Sequence, residues 1–156
     1  MATKQSLTWM LAALSLSVAG GALANGALKP EEMIKYRKAT YNFMAWNMGK
    51  IKASLDGTFN KDDVANAAGA IAAAANSGMG ALYGRGTDRN VGGEKTRLKS
   101  EFFKEPDKVR EIATNFNNQA NEMAKVAASG DVNAVRAQFG KLGDSCKACH
   151  DRYRKK

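Results

Sequence analysis

The sequence predicts an all-α protein, an antiparallel bundle of four helices. Three observations carry this. Four stretches repeat apolar residues in steps of three and four, the spacing of a helix that buries one stripe. The 156 residues include only two prolines and few aromatics, 8%, a composition that favours helix. The links between stretches are short, except for a glycine-rich run from Gly84 to Gly93, as expected for two helix pairs joined by a longer connection. The length suits one domain with a core that needs no extra cross-links.

The chain opens on a targeting segment. Lys4 supplies a positive start, Leu7 to Val18 is largely apolar, and Ala22-Leu23-Ala24 places small residues at a cleavage site. The apolar run is too short for a membrane span. Residues 1–24 are therefore expected to be removed, leaving 25–156 as a mature domain with no membrane span.

The first helix is expected from Pro30 to about Leu55. Proline suits the first turn, and Glu31 and Glu32 complement the positive helix end. Its seam is Ile34, Arg37, Tyr41, Met44, Met48, Ile51 and Leu55. Arg37 breaks the pattern. Either its stem packs while its head reaches solvent, or it is a cation held inward for a buried anion. Asn60 can cap the second helix, with Asp63 three residues on. Val64, Ala68, Ile71 and Ala75 form its stripe. The remaining alanines are either good helix formers alone or leave room for a neighbouring helix or a flat cofactor.

Gly84 to Gly93 matches no phosphate-binding loop, because no Gly-Lys-Ser/Thr follows. A short turn is expected at Ser100 to Lys104 and the third helix from Pro106. Its inner stripe is Val109, Ile112, Phe116, Ala120, Met123 and Ala127. Gly130 ends it and Asp131 can cap the fourth helix. That helix carries the seam Val132, Val135, Phe139, Leu142, Cys146, Cys149 and Tyr153.

The fourth helix also carries the chemistry. Cys146-Lys147-Ala148-Cys149-His150 is the attachment pattern for c-type haem. On a helix the two thiols lie one turn apart on one face, where both sulfurs can meet the vinyl groups along one porphyrin edge. His150 follows at once and can reach the iron from the same side. These are the chain's only cysteines and its only histidine. Zinc would want four ligands. A thioredoxin-type pair would open a helix beside a strand, and a disulfide needs no histidine. One covalent haem c per chain is expected, seated inside the bundle because the cysteines share the seam.

The formal charge is +9, and removal of Lys4 with the leader leaves +8 for residues 25–156. The basic residues are spread along the chain among acidic ones, so a solvated surface is expected rather than a nucleic-acid groove.

Taken together, the mature chain resembles the cytochrome c′ family, itself a standard example of a four-helix bundle. The resemblance rests on Tyr36-Arg37, Met44-Ala45-Trp46-Asn47-Met48-Gly49-Lys50-Ile51, Leu82-Tyr83-Gly84, and the Cys146 to His150 motif followed by Tyr153-Arg154. It implies that His150 is the proximal iron ligand and that Cys146 and Cys149 carry thioether bonds. It further implies Arg37 and Lys38 at the haem propionates, Thr96 and Arg97 at the haem edge, and Arg154 beside the proximal imidazole. It also implies that Tyr41 faces the open side of the iron. Phe102-Phe103 stand where relatives often carry a tryptophan before the third helix. Export to the periplasm agrees with attachment of c-type haem outside the bacterial cytoplasm.

With no second histidine, the sixth iron position is left to methionine, lysine, tyrosine, an amine, an external molecule or nothing. The expectation is a five-coordinate, high-spin iron that binds NO and CO, with electron transfer as a second capacity. The alternative is a low-spin electron carrier with a methionine sixth ligand. Met44 and Met48 are on the seam but suit core packing. No enzyme is expected, since peroxidase chemistry wants a distal acid/base. A homodimer through the first two helices is expected, because Phe43 and Trp46 lie off the seam; the alternative is that they cover the bundle's own flank. The redox partner is not specified by the sequence.

Overall fold

The computed structural model describes residues 28–156, so the leader read at residues 1–24 lies outside them. Four helices follow in order: α1 Pro30–Asp56, α2 Lys61–Ala75, α3 Pro106–Ser129 and α4 Val132–Tyr153. Local chemistry sets their ends. Pro30 occupies the first turn of α1, and the Glu32 carboxylate accepts from the Lys29 backbone N–H at 2.8 Å. Asn60 Oδ1 accepts from the Asp63 N–H at 3.1 Å and starts α2. Gly130 closes α3, and Asp131 caps α4 by accepting from the N–H groups of Asn133 and Ala134.

Consecutive helices pack broadly: α1 on α2, α2 on α3, α3 on α4. The pair that closes the bundle, α1 and α4, meets over only a short stretch. Helix length explains much of this. At 1.5 Å per residue, α1 with 27 residues is about 40 Å long and α2 with 15 about 22 Å. The short α2 flanks only the C-terminal half of α1. The apolar core sits at that end: Met44, Ile51 and Leu55 from α1, Val64, Ala67, Ala68, Ile71 and Ala75 from α2, Ala120, Met123 and Ala127 from α3, and Val135 and Leu142 from α4. The alanines of α2 in this core let the neighbouring helices pack closely.

The long connection between α2 and α3 covers the other end. It contains 3₁₀ turns at Met79–Leu82 and Ser100–Phe103. Between them Val91 and Glu94 exchange two backbone hydrogen bonds around Gly92-Gly93, whose φ angles of 55° and 80° belong to a type I′ turn. A side chain at Gly92 would stand 2.8 Å from the Glu31 stem, so this turn lies directly on α1. Farther on, Leu98 pairs with Arg154: Lys99 N–H donates to the Tyr153 carbonyl at 2.8 Å and Lys155 N–H to the Arg97 carbonyl at 2.7 Å. The connection therefore ties the start of α1 to the end of α4.

Several expected seam residues sit differently. Tyr41 is 37% exposed. Met48 is half-buried, and Asn47 is buried in its stead, its amide donating to the Phe43 carbonyl. On α4, Ser145 and Gln138 are buried while Cys146 and Cys149 are half-buried. The two cysteines thus stand beside the buried Leu142 and Ser145.

Candidate haem site

The site is assembled from three segments: the first half of α1, the Leu82–Arg97 stretch, and the last turns of α4. Cys146 and Cys149 are both free and half-buried. Burial pushes both thiols above their ordinary value, so neither is poised as a redox thiolate. Among the described residues no group of three or more His, Cys, Asp and Glu stands together as a bare metal site would need. His150 keeps part of its surface in solvent; desolvation of the covered part of its ring, and then the positive Arg154, lower its affinity for a proton. That favours the neutral imidazole, the form that ligates a metal.

Glu105 braces this end of α4. Its carboxylate accepts from Arg152 Nε at 2.6 Å, Arg152 Nη2 at 2.9 Å and the Tyr153 hydroxyl at 2.6 Å. These bonds hold its pKa down to about 2. Tyr153 is 1% exposed and packs edge-on against Phe102 at 5.5 Å. The backbone that carries His150 is thus fixed from both the α3 start and the Leu98 bridge.

Arg37 is 5% exposed, so the reading in which its head reaches solvent is overturned. Its Nη1 donates to the Leu82 carbonyl at 3.0 Å and Thr87 Oγ1 at 3.1 Å, and its Nη2 to the Thr87 carbonyl and Thr96 Oγ1, both at 3.0 Å. Its guanidinium also lies 4.5 Å from the Tyr83 ring centroid. Every one of these acceptors is neutral, and Arg37 makes no ion pair among the described residues. Burial lowers its pKa. A buried cation without a counter-charge is costly, and an anion such as a carboxylate-bearing cofactor would relieve it. The donors and the charge thus fit a haem.

The other expected residues divide. Thr96 is drawn in: its hydroxyl accepts from Arg37 and its N–H donates to Asn90 Oδ1. Lys38 pairs with Glu94 of the connection at 2.8 Å. Arg97 is exposed and uses Nε on the Lys155 carbonyl at 3.0 Å. Arg154 is exposed, its charge acting on His150. The Tyr41 hydroxyl lies 2.9 Å from the Tyr83 hydroxyl. Burial raises the pKa of both phenols, and the nearby Cys149 raises them further. Tyr83 stacks on Phe102 at 4.5 Å with 16° between the rings. Sequence reasoning missed Tyr83, Thr87 and Glu105 as parts of the site; the Leu82-Tyr83-Gly84 resemblance was the one signal available.

Comparison with known proteins now bears on this arrangement. Residues 32–154 match the family described as Cytochrome C′. The chain belongs to the cytochrome c′ family. It is 54% identical over 143 residues to cytochrome c′ of Allochromatium vinosum, with 92% of each chain covered. A crystal structure of cytochrome c′ from Thermochromatium tepidum superposes with a TM-score of 0.81 at 54% identity, covering 83% of this chain and 99% of that one. A second cytochrome c′, described as having an unusual ligand-controlled dimer dissociation, gives 0.81 at 56% identity, covering 83% and 98%. Variants of the Alcaligenes xylosoxidans protein, solved with carbon monoxide and with nitric oxide, give 0.72 at 27% identity, covering 82% and 98%. As a family member the chain is a haem c protein with a four-helix bundle fold.

Proposed function

We propose that this cytochrome c′ is a periplasmic protein that binds NO and CO at a five-coordinate, high-spin iron, with electron transfer as a second capacity and no enzymatic turnover. Cys146 and Cys149 would hold the haem by thioether bonds and His150 would ligate its iron. When bound, the haem supplies an iron with one coordination position for a diatomic gas. The observation that carries this reading is what stands opposite the cysteines. Tyr41 is there, close enough for both thiols to bear on its acidity. The methionines of the alternative low-spin reading are engaged elsewhere: Met44 belongs to the core, Met48 packs against it, and Met33 lies over Gly84. The phenol of Tyr41, raised in pKa by burial, stays neutral and is a poor iron ligand at neutral pH, so it covers the site without closing it.

The chain's residues supply the rest. Glu105 and the Leu98 bridge fix the end of α4 that would carry the iron ligand. Arg37 keeps a positive charge buried beside the connection. The carbon monoxide and nitric oxide complexes of the Alcaligenes xylosoxidans protein support the gas reading. Among the described residues no helix is long and apolar enough to cross a membrane. The leader at residues 1–24 and the attachment chemistry support export, and the dispersed charge supports no nucleic-acid role. Phe43 and Trp46 are 47% and 61% exposed, so they do not cover the bundle's own flank, which supports a homodimer through α1 and α2.

Absorption and resonance Raman spectra of the ferric and ferrous protein test the coordination. High-spin five-coordinate signatures are expected in the ferrous form, and a low-spin methionine signature rejects the reading. Mass spectrometry of the periplasmic protein should find a chain starting near Asn25 plus one haem; an unmodified chain rejects the attachment.

A further inference from the structure

We infer that Tyr83 is the latch of the ligand gate, a positioning residue whose hydroxyl holds Tyr41 over the site and must release it when a gas binds. The inference rests on the proposed reading of Tyr41 as the residue facing the open side of the iron. It adds a second residue, from a different segment of the chain, to that gate.

The geometry is asymmetric. Tyr83 is fixed on several sides. Its ring stacks on Phe102, which is itself held edge-on by Phe103 at 5.4 Å and Tyr153 at 5.5 Å. The Arg37 guanidinium lies 4.5 Å from its ring centroid, and Arg37 Nη1 grips the carbonyl of the adjacent Leu82. Tyr41 has none of this. Among the described residues its ring has no aromatic partner, and its one side-chain hydrogen bond is the 2.9 Å contact with Tyr83. The arm that must move is tied to a post that is built not to move.

The chemistry suits a latch. Both groups are phenols, neutral at ordinary pH whatever their depth, so either can donate and the bond is a neutral one. Such a bond contributes modestly on balance and is replaceable, unlike an ion pair at the same depth. Displacing Tyr41 breaks this contact and leaves the packing of Tyr83 intact. The bond therefore raises the barrier to every ligand that needs Tyr41 to swing aside, and lowers the affinity for each by the same factor.

The test uses the haem-loaded protein and four variants: Tyr41→Ala, Tyr41→Phe, Tyr83→Phe and the double Tyr41→Phe/Tyr83→Phe. Tyr83→Phe keeps the stacked ring and removes the hydroxyl alone. CO association to the ferrous form should rise roughly three- to tenfold in Tyr83→Phe, the size of one net hydrogen bond between neutral groups. Tyr41→Phe should give the same rise, and the double variant no more than either. A second readout is independent of ligand kinetics. Ultraviolet resonance Raman bands of tyrosine report phenol hydrogen bonding, and in the unliganded ferrous protein they should shift between wild type and Tyr83→Phe. A wild-type CO rate in Tyr83→Phe, with Tyr41→Ala fast, overturns the latch and leaves the Tyr41 reading standing. Additive effects of the two Phe substitutions, or tyrosine bands unmoved by Tyr83→Phe, also overturn it. A wild-type CO rate in Tyr41→Ala overturns the reading of Tyr41, and the latch with it.

Discussion

Arg37 shows how one side chain can organise a site from within a helix. A lone charge on an apolar seam marks the position in the sequence, but its partners come from residues 45 to 59 places away. Thr87, one of them, is 0% exposed, so removing the guanidinium leaves buried acceptors without donors. Arg37→Gln is expected to destabilise the haem-loaded protein by about 2–3 kcal/mol, the order of a lost charge-assisted bond with its acceptor left buried. Urea denaturation followed by far-ultraviolet circular dichroism measures this. Hydrogen exchange should accelerate first in the Gly84–Thr96 connection, while the α2 and α3 amides stay protected; uniform acceleration would count against a local clamp. Asn47 is the contrasting case, a polar residue buried on the same helix that satisfies itself on the Phe43 carbonyl one turn back.

At the level of elements, the end of α4 and the turn on α1 carry separate predictions. The Glu105 carboxylate titrates near pH 2 in the folded protein, below its ordinary 4.5, because Arg152 and Tyr153 donate to its charged form. A depressed carboxylate stabilises the fold fully above the unfolded value and loses that contribution as pH falls toward the folded one. Glu105→Gln should therefore lower the melting temperature by a constant amount above about pH 5. The gap to wild type should close between 4.5 and about 2. A gap that persists at pH 2 rejects the clamp. The Gly92-Gly93 turn is a steric case. Gly92→Ala adds a Cβ at a left-handed residue, 2.8 Å from the Glu31 stem. A cost of about 1–2 kcal/mol is expected, read as a lower denaturation midpoint with an unchanged slope.

The molecule as a whole divides along its length. Four helices pack one end, and at the other the connection lies against the start of α1 and the end of α4. The site occupies this second end because a core packed on all four sides leaves no room for a flat group between helices. The exposed ring pair Phe43 and Trp46, 6.0 Å apart with Lys50 over the Trp46 ring, lies on the same helix as Tyr41. If displacement of Tyr41 disturbs this face, dimer and gas binding are linked, and a gas that binds the monomer better must weaken dimerisation by the same free energy. Trp46→Ser should weaken self-association at least about tenfold, as expected for removal of a large aromatic anchor. Sedimentation of the ferrous wild-type protein should show a dimer that loosens under saturating CO. A monomer in both conditions rejects the interface, and equal dimer affinities reject the coupling alone.

Local chemistry made the helices and the attachment motif readable from the chain alone. Pro30, Asn60, Gly130 and Asp131 act on backbone groups within a few residues, so the helix ends fall within a residue or so of expectation. Two cysteines one turn apart with a histidine behind them need no distant partner to be recognised, and family membership follows from them together with the arginine on the first seam. Depth and cross-chain contact were not readable in this way. A three-four repeat names a face of a helix but not how far a neighbour covers it, so Met48 reads as core and lies at its border. Glu105, Thr87 and Tyr83 sit outside the stripes, in segments without periodicity, and acquire their partners across about 40 to 50 residues of chain. Tertiary packing decided those contacts, because the short α2 leaves half of α1 to be covered by whatever the connection can fold against it.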